Sequence, residues 1–220
     1  MRFFVGVAGL DEAAERGLDQ EVRDFADLVL LDMRDTYKNL TLKLLHVLAY
    51  AELVVRPRFL VRLNSNNRLQ IGRLSGFLRS LVMEDVAVRY PRGFVWGQRA
   101  CILPTVVQRF TCRRLPILVD PALLVDRSVL PYPQGGWVAD RAAVANMFDS
   151  YERHIRRRAQ LPPGGAEDCF VGMLALAAGV EVLDFAMDGR RMWLGENCSY
   201  GIQVYDETPQ QLRLQPRGCL

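Results

Sequence analysis

Short apolar runs alternate with amphipathic segments along the first half of the chain. The runs have the length of strands and lie at residues 3–8, 27–32 and 59–63. The segments between them, residues 11–23 and 36–51, carry apolar residues at helical spacing. The apolar stripe of the second segment consists of Leu40, Leu44, Val47 and Leu48. Apolar strands separated by helices are typical of a sheet covered on both faces, so the pattern predicts an α/β fold with a partly parallel sheet.

The second half of the chain is less regular. Residues 74–81 predict a helix, and residues 87–96 predict a strand region that contains a turn at 90–93. Prolines and glycines predict irregular structure at 115–125 and a loop at 130–136. The remaining predicted elements are helices at 140–158 and 168–178 and a closing strand at 180–185. Because the sequence after about residue 195 is polar and poorly patterned, we predict one domain over 1–195 and a polar tail over 196–220.

Composition and charge narrow the classes of partner. The chain has 220 residues, half of them apolar, which is enough for one domain with a core. Its net charge is only +3, and its densest basic run, residues 153–158, lacks interleaved aromatic residues. Such a run is more typical of a solvated helix face than of a nucleic-acid groove. We therefore predict no nucleic-acid partner.

The cysteine pattern and the N-terminal sequence give evidence about metal binding, disulfides and membrane targeting. The five cysteines form no CxxC pair and there are only two histidines, which argues against a structural zinc site. Cys101 and Cys112 are spaced for a loop disulfide, and the alternative is that they are small buried apolar residues. No apolar run is long enough to span a membrane, and the predicted strand begins directly at Phe3 without a signal peptide. We expect an N-terminally incomplete domain, with any membrane anchor outside this chain.

Candidate chemistry begins where the second apolar run ends. Asp32 and Asp35 follow that strand, at the edge where open α/β sheets bind their ligands. Asp35, Asn39 and Lys43 recur every four residues and share one helix face. A capped surface helix would explain Asp35 and Lys43 alone equally well. The acidic turn, the helix and the next buried strand together have the layout of a nucleotide-sugar site.

Motifs in a fixed order carry a resemblance to a known family. The sequence DTYKNLTLK at 35–43 resembles the D-x-Y-x-N-L-T-x-K signature of the β-1,3-galactosyltransferase and N-acetylglucosaminyltransferase family. The strand FLVR at 59–62, the segment YPQGGWV at 132–138 and the segment EDCFVG at 167–172, followed by LALAAGV, resemble its later motifs. Each motif alone is weak, but their common order over residues 3–185 makes the resemblance specific.

The resemblance implies a fold, a donor and roles for particular residues. It implies a single GT-A-like domain with a mixed, mostly parallel central sheet flanked by helices, which binds a UDP-sugar donor and a glycan acceptor. Mn²⁺ would be held by the family's three aspartates and the diphosphate. Asp168 takes the position of the catalytic base and Glu167 that of a supporting acid; both are also explained as acids at a helix N-terminus. The implied donor-binding residues are Asp35, Lys43, Arg62, Asn64, Ser65, Asn66, Gly135 and Gly136.

The metal motif departs from the family. Asn64, Ser65 and Asn66 stand where the family has three aspartates. The oxygens of Asn64 and Asn66 are degenerate candidate ligands, and without carboxylates we expect Mn²⁺ to bind weakly.

Two classes of function remain open from the sequence. One is a hexosyltransferase that makes a β-1,3 linkage in the Golgi lumen or at the Golgi membrane. The other is an inactive relative that pairs with an active glycosyltransferase, or a truncated gene product. Trp96 and Trp137 are either sugar-stacking platforms or core residues.

Overall fold

A computed structural model describes residues 1–63, 67–69, 71–83, 86–102, 130–154, 156, 167–184 and 202–204. Its strands are β1 Phe3–Gly6, β2 Leu28–Leu31, β3 Phe59–Arg62, β4 Asn67–Leu69, β5 Phe94–Ile102, β6 Leu130–Asp140, β7 Glu181–Asp184 and β8 Ile202–Val204. Its helices are α1 Glu12–Phe25, α2 Leu40–Tyr50, α3 Ile71–Met83, α4 Val86–Arg89, α5 Arg141–His154 and α6 Glu167–Ala178. A 3₁₀ turn, Tyr37–Asn39, precedes α2, and a π-helical turn, Ala51–Val55, follows it.

The predicted α/β class with a mixed sheet is confirmed. Strands β1 and β2 pair in parallel, and a four-stranded sheet has the order β3-β6-β5-β7. In that sheet β6 is antiparallel to β3 and β5, whereas β5 and β7 are parallel. Strands β4 and β8 form an antiparallel pair, which places residues 202–204 of the predicted tail in a strand. Parallel pairs therefore do not predominate among the described strands, because the long β5 and β6 run in opposite directions.

The four-stranded sheet is covered on both faces by apolar side chains. One face carries Trp137 and packs against α2, α5 and α6, and the other face carries Trp96 and packs against α3. The two tryptophans are 0% and 1% exposed. Both are core residues, so the sugar-platform interpretation is wrong. Their separation onto opposite faces follows from the alternation of side chains along strands.

The predicted loop at 130–136 is wrong, because these residues belong to β6. Strand β3 pairs with β6 only from Trp137 onward. Along 130–136 the described partner of β6 is β5 alone, so prolines are tolerated there as on an edge strand. Gly97 pairs with Trp137 and Gln98 with Gln134, which leaves Gly135 and Gly136 as the extra residues of a bulge. Long-range pairing with β5 has overridden the local turn propensity.

The start of the predicted strand region 87–96 is also corrected. Residues 86–89 form the short helix α4, and β5 begins only at Phe94. The predicted turn between them is confirmed, since the Gly93 N–H donates to the Tyr90 carbonyl at 2.8 Å. Gly93 has a φ of +88°. This left-handed conformation suits glycine and allows the abrupt change from helix to strand.

Asp140 joins the end of β6 to the start of α5. Its Oδ1 accepts the Ala143 N–H at 2.9 Å and the Phe94 N–H at 3.1 Å. The first bond caps α5, and the second ties the cap to β5. Burial raises the pKa of the Asp140 carboxyl above its ordinary value, and the two backbone donors partly oppose that shift.

Several predictions fall on residues that the structure does not describe. These are the irregular segment 115–125, the end of the helix predicted to reach residue 158, Cys112, and Asn64, Ser65 and Asn66. Among the described helices, none combines the length and apolar character needed to cross a bilayer.

Candidate functional site

An arginine from β3 meets two carboxylates at the start of α6. Arg62 Nη2 donates to Glu167 Oε1 at 3.3 Å, and Arg62 Nη1 lies 3.7 Å from Asp168 Oδ1. Arg62 and Glu167 are 105 positions apart in sequence. The side chains of Arg62, Glu167 and Asp168 are 12%, 12% and 24% exposed. The three residues therefore form a largely enclosed ionic cluster, which brings together two of the motifs found in the sequence.

The fold places this cluster at a defined corner of the sheet. Arg62 is the last residue of β3 and lies opposite Trp137 of β6. Cross-strand partners project to the same face, so Arg62 lies on the face that carries Trp137 and is covered by α6. Glu167 and Asp168 are in the first turn of α6. The corner is thus formed by the end of one strand and the N-terminus of one helix.

Two positive partners lie close to the carboxylates of this corner. The N-terminus of α6 carries the positive end of the helix dipole, and the Arg62 guanidinium adds a full positive charge. The sequence offered two explanations of Glu167 and Asp168, an acidic helix start and a catalytic pair. The structure places both acids in the first turn of α6 and places the guanidinium of Arg62, from β3, beside them. An ionised carboxylate held at a corner can accept a proton from a hydroxyl group.

Replacing Arg62 with methionine tests how far the cluster stabilises the fold. Removal of Arg62 leaves two carboxylates that are poorly solvated and have lost their cation. We expect the free energy of unfolding to fall by about 2 kcal/mol, a figure reduced to allow for the partial exposure of the cluster. The free energy of unfolding from urea titration is the measurement. As a control, Arg153→Met, which removes an exposed pair with Asp149 on α5, should change nothing measurable. Adding Glu167→Gln and Asp168→Asn to Arg62→Met should recover part of the loss, and no recovery would contradict the ionic explanation.

A second cluster lies at the edge where β1 and β2 end. Lys43 Nζ donates to Asp35 Oδ2 at 2.6 Å, and the same oxygen accepts the Gly6 N–H at 3.3 Å. The predicted proximity of Asp35 and Lys43 is confirmed. Asn39 does not join them, because its side-chain amide donates to the Arg34 carbonyl at 2.8 Å. The 3₁₀ turn over 37–39 interrupts the helical spacing from which a common face was predicted.

Sequence reasoning missed Gly6, which this edge requires. A Cβ at Gly6 would lie 2.6 Å from the Met33 carbonyl oxygen and 2.8 Å from the Asp35 nitrogen. The absence of a side chain therefore lets the turn after β2 pass directly over the end of β1. A glycine in the interior of the apolar run 3–8 was the available signal, because such a glycine often marks a close backbone approach.

The other predicted binding residues are placed differently. Gly135 and Gly136 lie in the β6 bulge, and Gly136 is buried. Asn64, Ser65 and Asn66 are outside the described residues. Within the described part of the chain, no three His, Cys, Asp or Glu side chains are grouped to hold a metal ion. Among the described carboxylates, the two at the corner of β3 and α6 are engaged by Arg62.

The fold and its two clusters define a mixed α/β domain with polar groups at strand ends. Residues 1–92 match the family model for galactosyltransferases. Over 97 residues the chain is 34% identical to beta-1,3-galactosyltransferase 6 of Mus musculus. The aligned part covers 44% of this chain and 28% of the relative's length. Residues 1–92 are thus similar to the galactosyltransferase family, and over this stretch the resemblance predicted from the motifs is confirmed.

The matched stretch contains only the first two of the family motifs. Asp35–Lys43 and Phe59–Arg62 lie within residues 1–92, whereas the motifs at 132–138 and 167–180 lie beyond them. Arg62 connects the two parts, because it belongs to the matched stretch and contacts Glu167 and Asp168 outside it.

Proposed function

We propose that this chain is a glycosyltransferase that moves a hexose, galactose or N-acetylglucosamine, from a UDP-sugar to a hydroxyl group of a glycan. The proposed linkage is β-1,3, formed with inversion at the anomeric carbon. One observation carries the proposal: Arg62, within the matched residues 1–92, contacts Asp168 and binds Glu167, which is 105 positions away in sequence. The two motifs that the family would use for donor and acceptor chemistry therefore meet in one corner.

In the proposed reaction Asp168 is the base. Its carboxylate takes the proton of the acceptor hydroxyl, the hydroxyl oxygen attacks the anomeric carbon, and UDP leaves with the electron pair of the broken bond. Arg62 holds this carboxylate near the end of β3 through one terminal guanidinium nitrogen, and the other terminal nitrogen donates to Glu167.

The second cluster is proposed to bind part of the donor. Asp35, Lys43 and the Gly6 N–H lie together at the carboxyl ends of parallel strands, where α/β sheets bind nucleotides. We also propose the Golgi lumen or the Golgi membrane as the compartment, because that setting fits a glycan acceptor.

A second candidate function is favoured by residues 64–66. Asn64, Ser65 and Asn66 offer neutral oxygens where carboxylates would hold the cation. In this alternative the chain keeps the fold and a nucleotide site without catalysis, and pairs with an active transferase.

Calorimetry with UDP, with and without Mn²⁺, and transfer assays with UDP-galactose and UDP-N-acetylglucosamine separate the candidates. We expect UDP to bind, ADP to bind more weakly, and one donor to be turned over. Replacing Asn64, Ser65 and Asn66 with aspartates should make UDP binding depend on Mn²⁺. UDP binding without turnover by either protein would favour the non-catalytic relative. Failure of both proteins to bind UDP would contradict both candidates.

A further inference from the structure

We infer that a protruding turn after α2 docks on the surface of an anionic lipid bilayer. The turn presents Leu53, Val54 and Val55, whose exposed fractions are 61%, 66% and 51%. The arginines next to it are Arg56, Arg58 and Arg141. We call these six residues the basic apolar patch. The inference is independent of the proposed transferase activity, since none of the six belongs to the clusters at the strand ends.

The exposure of consecutive residues shows that the turn protrudes. Successive residues on a helix point in different directions, so a helix lying flat on a core hides at least some of them. Ala51 is buried, but the next apolar residues, Leu53 to Val55, are all more than half exposed. Single exposed apolar residues are common, whereas a contiguous exposed group marks an interaction surface.

Backbone contacts hold the arginines beside these apolar side chains. Arg141 Nη1 donates to the Arg56 carbonyl at 3.0 Å, and the Arg141 N–H donates to the Arg58 carbonyl at 3.0 Å. Arg56 Nε also donates to the Glu52 carbonyl at 3.3 Å. All three arginine side chains are exposed. Exposed arginines therefore lie next to the C-terminal end of the apolar turn.

The charge of this surface is positive. Glu52 is the one acidic residue in the sequence from 50 to 58, and its Oε2 is buried. Anionic headgroups complement the arginines, and the acyl region below them complements the apolar side chains. A bilayer surface satisfies both requirements at once, which is why we choose it over a polar protein partner.

The backbone at Arg56 allows stability and binding to be tested separately. Arg56 has a φ of +51°, a left-handed conformation that glycine adopts without strain. An arginine with this φ is less favourable for the fold than glycine would be. Replacement of Arg56 by glycine therefore separates the two effects: it should raise stability and weaken binding to anionic vesicles.

Co-sedimentation of the full chain with vesicles tests the inference. The protein should bind vesicles of phosphatidylcholine mixed with phosphatidylserine and not phosphatidylcholine alone, and added salt should weaken binding. Arg56→Gly should weaken binding about fivefold, and Arg56→Glu with Arg58→Glu should weaken it further. Leu53→Asp with Val54→Asp should weaken binding more than tenfold, because two apolar side chains would no longer insert into the bilayer.

Matched controls decide the outcome. Ile71 and Val88 are 68% and 75% exposed on α3 and α4, so Ile71→Asp and Val88→Asp carry the same change on other surfaces. Both controls should bind vesicles as the parent protein does. Equal losses in patch and control variants, or no vesicle binding at all, would overturn the inference. So would a parent protein that sediments as a dimer in solution and is made monomeric by Leu53→Asp, because the patch would then join two copies.

Discussion

Replacing Asp168 with asparagine is expected to lower hexose transfer about a hundredfold or more, the effect of losing a positioned general base. Asparagine has nearly the same shape and keeps an acceptor oxygen for Arg62, which lies 3.7 Å from Oδ1. The first turn of α6 should therefore stay in place. What is lost is the ability to accept a proton from the acceptor hydroxyl.

The measurements for this variant are the turnover number with a UDP-sugar donor and the dissociation constant for UDP. Turnover should fall while UDP affinity stays unchanged, because Asp168 is proposed to act on the acceptor. Asp149→Asn, which alters an exposed acid on α5 paired with Arg153, should leave both unchanged. If Asp168→Asn retains normal turnover, the base lies elsewhere. An equal loss in UDP affinity would instead assign Asp168 to donor binding.

Replacing Gly93 with alanine is expected to destabilise the fold by about 4 kcal/mol, through strain and the loss of a buried helix cap. A Cβ at Gly93 would lie 2.2 Å from the Ala143 nitrogen and 2.5 Å from Asp140 Oδ1. Alanine would also have to adopt the φ of +88° that Gly93 has, which is unfavourable for a residue with a side chain. The added methyl group therefore displaces the carboxylate that caps α5 and holds β5.

Thermal and urea unfolding measure this effect, and a loss of about 4 kcal/mol corresponds to roughly a 10 °C decrease in melting temperature. Gly17→Ala is the matched control, since Gly17 lies within α1 and a Cβ there meets nothing within 4 Å. That change should stabilise the protein by about 0.5 kcal/mol through helix propensity. A Gly93→Ala variant as stable as the parent would show that the turn relaxes without disturbing Asp140.

The sequence predicted the first half of the fold well because its signals are local. Strands β1, β2 and β3 and helices α1 and α2 were all found from apolar runs and helical spacing. Asp11, where the first helix was expected to begin, is the cap of α1, and its Oδ1 accepts the Ala14 N–H at 2.8 Å. Such signals report which face of an element is buried, and they act within a few residues.

The errors arose at a pairing between strands far apart in sequence and at a local turn within a predicted helix. Pro131, Pro133 and the two glycines that follow have the local preferences of a loop, yet pairing with β5 makes them part of a strand. Likewise, the spacing of Asp35, Asn39 and Lys43 assumed an unbroken helix, but a 3₁₀ turn redirects Asn39 toward Arg34. In both places a tertiary or turn contact outweighs an average propensity.

By itself, the sequence determined the α/β class, most of the element order and the family to which residues 1–92 are similar. Only the tertiary structure decided which residues meet. It joined Arg62 to Glu167 and Asp168, buried the two tryptophans on opposite faces of the sheet, and left the turn after α2 exposed next to arginines. The physical reason is that hydrophobic periodicity records the burial of each element separately. Contacts between residues far apart in sequence depend on how whole elements pack together.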